Sequence, residues 1–588
     1  MSVPIKEPEP SSPAPVDGGG PRLDSWKEIA AHLGRDVRTV QRWERGEGLP
    51  VHRQQHDKLG SVYAFRDEID AWRTARSARP EEPRDAVSPP GLAPPPPERR
   101  RSVRFAAMGV AIGAIAIGGW LTLRKSTIRG GSAHPEIRSV VVLPLDNLST
   151  DPGQEFFAAG LTEEITARLA QLTKLRVVSR TSAVSLKERK LPVSAIAREL
   201  DIDAVVEGSV RREAGRVRIS IQLIHAPTDK HLWARDFERE AGASWPLQID
   251  VAEAVANEIR VQATPQERAR LAAAPPVSAA AHEEFMLGRY LLWKFIEEDR
   301  VRAIEHFHRA IELQPDYASP YAALAHAWWM RGVMGPLSLR EVATPAREAA
   351  MAALARDDGN VEAYAALAYV QGMFDWNWDR AQATIQRAVT LEPNNLDVRY
   401  VHSLLLMARG RLEAAVTEIE AAARVDPLSA QVHSTYGRIL YRAHRFEDAR
   451  IRLDRSLELE PRNAMTHGRL AEVLEQLGRY DDALAQVDKM EALPGRSAAR
   501  SSGVRARILA RAGRTAEARR LLAQAPPETR HRAEVLAALG DHDAAFGSLF
   551  RALDERESWL LFIKSDPIFE GLHRDPRWTS VLRRMNLE

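Results

Sequence analysis

In the stretch "GRDVRTVQRWERGEGLP", Arg38, Thr39, Gln41 and Arg42 fall between the apolar Val37, Val40 and Trp43. This spacing puts the apolar three inward and leaves the four polar residues on the outward face of a helix, where guanidinium, hydroxyl and amide groups are free to bond a partner. Elsewhere chemistry is sparse. Glu163 and Glu164 are neighbours, so they point in different directions on a helix and predict a solvated face rather than an acid–base pair. Ser179, Arg180 and Thr181 read as caps of a following turn. Trp233, two residues after His231 on a strand, reads as core packing. No metal-ligand spacing, phosphate loop or nucleophile elbow occurs. Cys is absent, which removes thiol catalysis, thiolate metal sites and disulfides. The expectation is therefore no catalytic residue, no metal, no cofactor and no enzyme.

The elements that must position these outward residues follow from the flanks. At 588 residues the chain is too long for one core, because single cores stop growing near about 250–300 residues. A formal charge of +2, with 28% charged and 44% hydrophobic residues, excludes a wholesale polyanion binder, so any nucleic-acid site is local. Residues 1–21 are rich in Pro, Gly and Ser and predict disorder, without the apolar core of a signal peptide. Asp24 or Ser25 can cap a helix with Trp26, Ile29, Ala30 and Leu33 on one face, and Gly34 breaks it. A second helix carries the four outward polar residues, giving the helix–turn–helix shape that sets its second helix in a major groove. The pieces around His52–Gln54 and Ser61–Tyr63 can pair as a wing, and a third helix, 65–76, packs Ile69 and Trp72 beneath.

On "KEIAAHLGRDVRTVQRWERGEGLPV", residues 22–76 resemble a winged helix-turn-helix of the MerR/excisionase type. The resemblance implies that Arg38, Thr39, Gln41 and Arg42 face DNA, with Arg53, Lys58 and Tyr63 serving the wing. Asp24, Asp36, Glu44 and Glu47 offset much of the local positive charge, so two linked copies would hold DNA better than one. Residues 77–104 form a Pro-rich tether and basic flank; the Pro-rich part, in polyproline geometry, could reach on the order of 60 Å. Residues 105–123 contain no charge and would reach roughly 28 Å as a helix, close to the ~30 Å hydrocarbon thickness. They predict a transmembrane helix. Basic residues on both flanks favour a cytoplasmic N-terminus only narrowly. Gly109 and Gly113 form a GxxxG that can bring two such helices together as a homodimer.

Beyond the span, "SVVVLPLDNL" and "LRVVSR" read as strands, "GQEFFAAGLTEEITARLAQL" and "VSAIARELDI" as helices, and 204–240 as three strands joined by hairpin turns. A helix near 246–263 closes the unit. Residues 137–264 thereby resemble the TolB amino-terminal-like, or FlgO-like, α/β domain, on "VVVLPLDNLSTDPGQEFFAAGLTEEI", "LRVVSRTSA", "VVEGSVRR" and "RVRISIQLIHAPTDKHLWARDFER". The resemblance implies protein or ligand binding rather than a reaction.

Prolines at 393, 427 and 461 share one period, with Pro494 nearly in phase, Pro315 upstream and Gly359 in the same slot. Small residues recur at Ala303/Ala310, Ala381/Ala388, Ala415/Ala422 and Ala449/Ser456, where two antiparallel helices can pack closely. Residues 281–554 thus resemble tetratricopeptide repeats, about five clear ones and two degenerate, with extra residues near "MGPLSLREVATP" bulging between the helices of the second. Residues 555–588 fit a cap over the last apolar edge. The repeats imply a groove built from first helices that takes an unidentified protein or peptide. Asp397, Tyr400, Arg438, Tyr441 and Glu472 are its candidates. Trp376 and Trp378 are expected to pack against a neighbouring repeat.

The expected fold class is multi-domain: a small winged helix-turn-helix, one transmembrane helix, an α/β domain with mixed sheet, and an all-α tetratricopeptide solenoid. The layout resembles membrane-anchored one-component regulators of the ToxR and CadC type. It implies an inner-membrane protein with a cytoplasmic DNA-binding head and periplasmic binding modules. The alternative is a membrane-tethered repeat scaffold whose head no longer binds DNA.

Overall fold

The computed structural model describes residues 22–77, apart from 24, 36, 48 and 55–60, and residues 137–588, apart from 241–243, 260–262, 273–276, 295, 334–336, 494–497 and 525–529. The chain divides into two compact units, one before and one after residue 125. The expected span 105–123 with Gly109 and Gly113, the leader 1–21 and the tether lie outside the described residues. Among the described residues no helix is long and apolar enough to cross a membrane.

In the first unit, helices Trp26–Leu33, Val37–Glu47 and Arg66–Ser77 pack on a small antiparallel sheet. Strand β1 (Arg22–Leu23) and β2 (His52–Gln54) flank β3 (Ser61–Phe65). The Ser25 hydroxyl accepts the Glu28 N–H at 3.2 Å, capping the first helix. Gly34, at φ 61, reverses the chain where a side chain would strain the backbone. Leu23, Ile29, Val40, Leu49, Ala64 and Ile69 form the core, flanked by Trp26, Trp43 and Trp72.

The second unit opens with a mixed sheet ordered β6-β4-β7-β8-β9. Here β4 is Ser139–Val142, β5 Asp146–Asn147, β6 Arg176–Val177, β7 Ala204–Glu213, β8 Arg216–His225 and β9 Lys230–Glu240. β4 runs parallel to β6 and β7, whereas β7, β8 and β9 are antiparallel neighbours. Strand alternation sends Val140, Val142 and Val206 to one face, under helices Glu155–Ala170 and Ser244–Ile259. Val141 and Val205 go to the other, under helices Arg180–Glu188 and Val193–Leu200. The helix Arg180–Glu188 replaces the turn expected after Ser179, whose hydroxyl caps it by accepting the Ser182 N–H at 3.2 Å. Its sequence is polar and short, so periodicity alone carries little signal there.

Eight antiparallel helix pairs follow among the described residues, from Ala279–Leu292 with Glu297–Leu313 to Arg530–Ala538 with His542–Glu555. That is one more than the proline phase counted. Pro393, Pro427 and Pro461 sit in turns between pairs, and Asn395, Ser429 and Asn463 cap the helices that follow. The paired small residues from Ala303 to Ser456 are fully buried, which lets the helix axes approach closely. The extra residues of the second pair do not simply bulge. They lengthen its helices, Ala318–Val333 and Leu339–Leu354, to 16 residues each, against 13 and 14 in the pair Ala430–Arg442 and Phe446–Leu459.

The α/β module and the repeats share their cores. Met286 joins the cluster on one sheet face, and Leu428 and Leu459 close the cluster on the other. The C-terminal segment also departs from a simple end cap. After packing on the last pair it returns to the middle of the array: Trp378 Nε1 donates to the Met585 carbonyl at 2.7 Å, and Asn586 Nδ2 to the Trp376 carbonyl at 3.2 Å.

Candidate functional site

The first helices of successive pairs present one continuous face. Asp397 and Tyr400 lie on Leu396–Ala408, Arg438 and Tyr441 on Ala430–Arg442, and Glu472 on Ala464–Gln476. Neighbouring helices are tied along this face: Tyr400 Oη and Thr435 Oγ1 are 3.1 Å apart, and Gln431 Nε2 donates to Tyr400 Oη at 2.9 Å. The face is not the open groove expected. Tyr400 and Tyr441 are buried, and the remaining three are engaged by groups of this same chain.

At the N-terminal end the repeats themselves supply those groups, through His326, Glu362 and Arg289, and the α/β module adds Glu163. Arg289 Nε donates to Glu163 Oε1 at 2.8 Å, Arg289 Nη1 to Glu362 Oε1 at 2.7 Å, and Trp293 Nε1 to Glu163 Oε1 at 3.1 Å. His326 Nδ1 lies 2.9 Å from Glu362 and 3.8 Å from Asp397. Burial pushes the Glu362 carboxyl up, but Arg289 and His326 outweigh it and hold it at about 2. Burial opposes the charge of His326, yet Asp397 and Glu362 raise its pKa above the ordinary value. The expectation of a solvated face at Glu163 and Glu164 is thereby corrected. Glu163 is bonded into this junction, and burial pushes the Glu164 carboxyl up. Asp426, also buried, accepts the hydroxyls of Ser179 and, at 2.7 Å, Ser182, fastening the two modules a second time.

Toward the C-terminal end arginines dominate. The Arg438 guanidinium lies 4.0 Å from the centre of the Phe562 ring. Arg442 Nη2 donates to Asp566 Oδ2 at 2.7 Å. Burial pushes Glu472 up, but Arg530, 3.3 Å away, and Arg507 hold it below the usual carboxylate range. Arg507 is fully buried between Glu475, at 2.9 Å, and Glu534. Arg442, Arg507, Arg530, Phe562 and Asp566 escaped the sequence reading. One repeat on from Arg438 stands Glu472, but the next in-phase position is Ala506, one residue before Arg507, so the period alone does not disclose it. Trp376 and Trp378 pack against the C-terminal segment rather than only a neighbouring repeat, with the Arg556 guanidinium 4.8 Å from the Trp376 ring.

The α/β module also holds a cleft of about 380 Å³ between Leu143, Leu186, Lys187, Lys190 and Ile196 and the sheet residues Glu207, Ser209, Ser220 and Gln222. Lys187 pairs with Asp146 at 2.7 Å. Among the described residues no group of His, Cys, Asp and Glu is placed to hold a metal ion. In the first unit, Arg42 is exposed and Thr39 and Gln41 are half-buried on the second helix. Tyr63 is stacked within the unit, 3.9 Å from the Arg22 guanidinium and 5.2 Å from the His52 ring. The side chains of Arg38 and Arg53, and all of Lys58, lie outside the described residues.

The sequence model of the tetratricopeptide repeat family matches residues 377–431, 400–450 and 435–497, so this stretch consists of tetratricopeptide repeats. Among curated proteins, the chain is 34% identical over 191 residues to one named "Putative adenylate cyclase 3" from Rhizobium meliloti (strain 1021), covering 32% of each. It therefore spans about a third of that relative's length. Among solved structures, pilF of Pseudomonas aeruginosa is 20% identical, covering 36% of this chain and 97% of the other, with a TM-score of 0.27. YrrB, described as a TPR protein with an unusual peptide-binding site, is 19% identical, covering 34% and 97%, with a TM-score of 0.25.

Proposed function

We propose, from the premise that residues 377–497 are tetratricopeptide repeats, that this chain is a scaffold holding a partner's segment against the first-helix face of its array. The observation that carries the reading is that face itself. Tyr369, Tyr400, Arg438, Tyr441 and Glu472 succeed one another along it beneath groups of this same chain, which a partner's segment has to displace, and stacked repeats use such extended surfaces for binding. A photo-crosslinking residue placed at Gln476, on this face, or at the exposed outward Ile451 tests it in cells. Adducts from 476 alone are expected; equal adducts from both positions would overturn it. No catalytic step belongs to this reading. The relative's name makes cyclic nucleotide formation from ATP the activity to assay, and turnover by the purified chain would count against it.

A second reading, a membrane-anchored transcriptional regulator with a cytoplasmic head and periplasmic modules, is favoured by one observation: the helix–Gly34–helix geometry of residues 26–47 followed by a hairpin. In this reading 105–123 anchors the chain in the inner membrane and pairs it through Gly109 and Gly113. The regulator requires that Arg38→Ala with Arg42→Ala abolish DNA retention by the full-length chain. It also requires that a C-terminal reporter be active only outside the cytosol. Retention unchanged by the substitutions leaves the scaffold.

A further inference from the structure

The C-terminal half of the repeat face carries more positive charge than it neutralises. Arg438, Arg442, Arg507, Arg511 and Arg530 stand against Glu472, Glu475 and Glu534. Guanidinium groups gathered away from water without counter-charge are costly, so such a face demands an anion. The chain supplies one from its own end. The Asp566 carboxylate, 5% exposed, lies 2.7 Å from Arg442, itself 2% exposed, and 3.9 Å from Arg530.

Phe562, four residues earlier, lies over Arg438, and its carbonyl accepts from Arg442 Nε at 3.4 Å. Leu560, Leu561 and Ile563 are buried beside it. Even so, Arg442 Nη1 and Arg507 Nη2 are buried without a hydrogen-bond partner among the described residues. With Asp566 added to the three glutamates, those two nitrogens still go unmet.

Resting on the scaffold reading, we propose that this arginine cluster is a docking site for a peptide segment carrying an aromatic ring and, four residues later, a carboxylate, and that residues 558–572 are its resident occupant. A partner segment of the same chemistry, with a further acidic group for the unpaired guanidinium nitrogens, takes the site by displacing Phe562 and Asp566. The His444–Glu570 pair, 3.1 Å apart and half-exposed, is the outer edge that would yield first.

A fluorescent peptide of sequence 558–572, titrated by anisotropy, is the probe. The full-length chain is expected to bind it weakly. The full-length Phe562→Ala/Asp566→Ala variant is expected to bind it at least tenfold more tightly. Asp566→Asn in the peptide, or Arg442→Ala added to the variant, should each cost tenfold or more. Equal binding to wild type and variant, or indifference to the peptide's Asp566→Asn change, overturns the proposal.

Should the variant lose its circular dichroism signal, a protease site inserted after Arg556 replaces it. Labelled peptide must then exchange with the nicked 557–588 segment, and failure to exchange sinks the idea equally. Crosslinking from Gln476 without peptide binding would leave the scaffold standing and remove this occupant alone.

Discussion

Arg507 shows how much one buried charge can control. It is fully buried with carboxylates on two sides, and Glu534 is held well below its ordinary pKa by Arg530 and Arg507 despite burial. Arg507→Met leaves buried Glu475 with only Arg511, 3.4 Å away, and Glu534 with Arg530 and His531, and breaking such a buried pair costs about 3–5 kcal/mol. Urea unfolding of the full-length chain should show that loss, whereas Arg514→Met, in an exposed pair with Glu517, should leave the midpoint in place. His282 makes a pH-dependent case. It is buried against Gln248, 2.9 Å away, at the junction of the α/β module and the first repeat. Burial, then the nearby Arg168 charge, push its imidazole from 6.5 down to about 3. The unfolded chain therefore takes up a proton that the folded chain refuses. Stability is full above about 6.5 and declines as pH falls toward 3. The melting temperature of His282→Gln should fall less steeply than wild type across that window; parallel curves would refute the assignment.

Within the helices, two glycines should respond oppositely to the same methyl group. A Cβ at Gly437 would lie 2.6 Å from Leu453 Cγ and 3.0 Å from the Ala449 carbonyl oxygen, both in the partner helix of its pair. Overpacking costs about 1–3 kcal/mol and outweighs the roughly 1 kcal/mol that Ala gains over Gly in a helix. Gly437→Ala should therefore lower the urea midpoint. At Gly547 a Cβ meets nothing within 4 Å, so Gly547→Ala should stabilise by about 0.5–1 kcal/mol. Two shifts of the same sign would mean that helix packing is not what requires Gly437.

Across the second unit, the α/β module and the repeats behave as one body because their contacts are buried and mutually dependent. The Leu428 N–H donates to Ser182 Oγ at 3.0 Å, the Ser179 N–H to the Val425 carbonyl at 2.9 Å, and Asp426 accepts both serine hydroxyls. Calorimetry of the full-length chain should show one shared transition for these modules. Asp426→Ala should split it, since it leaves the buried Ser179 and Ser182 hydroxyls without their acceptor, worth about 1–3 kcal/mol each. An unsplit transition at unchanged temperature would mean that the apolar contacts around Leu428 suffice alone.

Pro393, Pro427 and Pro461, with the small residues between them, determined the helix pairs from sequence alone, because a turn or a close helix contact is a short-range demand repeated every unit. Val140 to Val142 likewise disclosed a strand buried on both sides. No such period relates Glu163 to Arg289, Asp426 to Ser182, or Asp566 to Arg442. Those partners are separated by more than a hundred residues and meet only because the α/β module packs on the repeats and the C-terminal segment folds back over them. Local side-chain spacing is written in the chain. Which charges close over one another depends on how segments far apart in sequence pack together, and that only the tertiary structure decides.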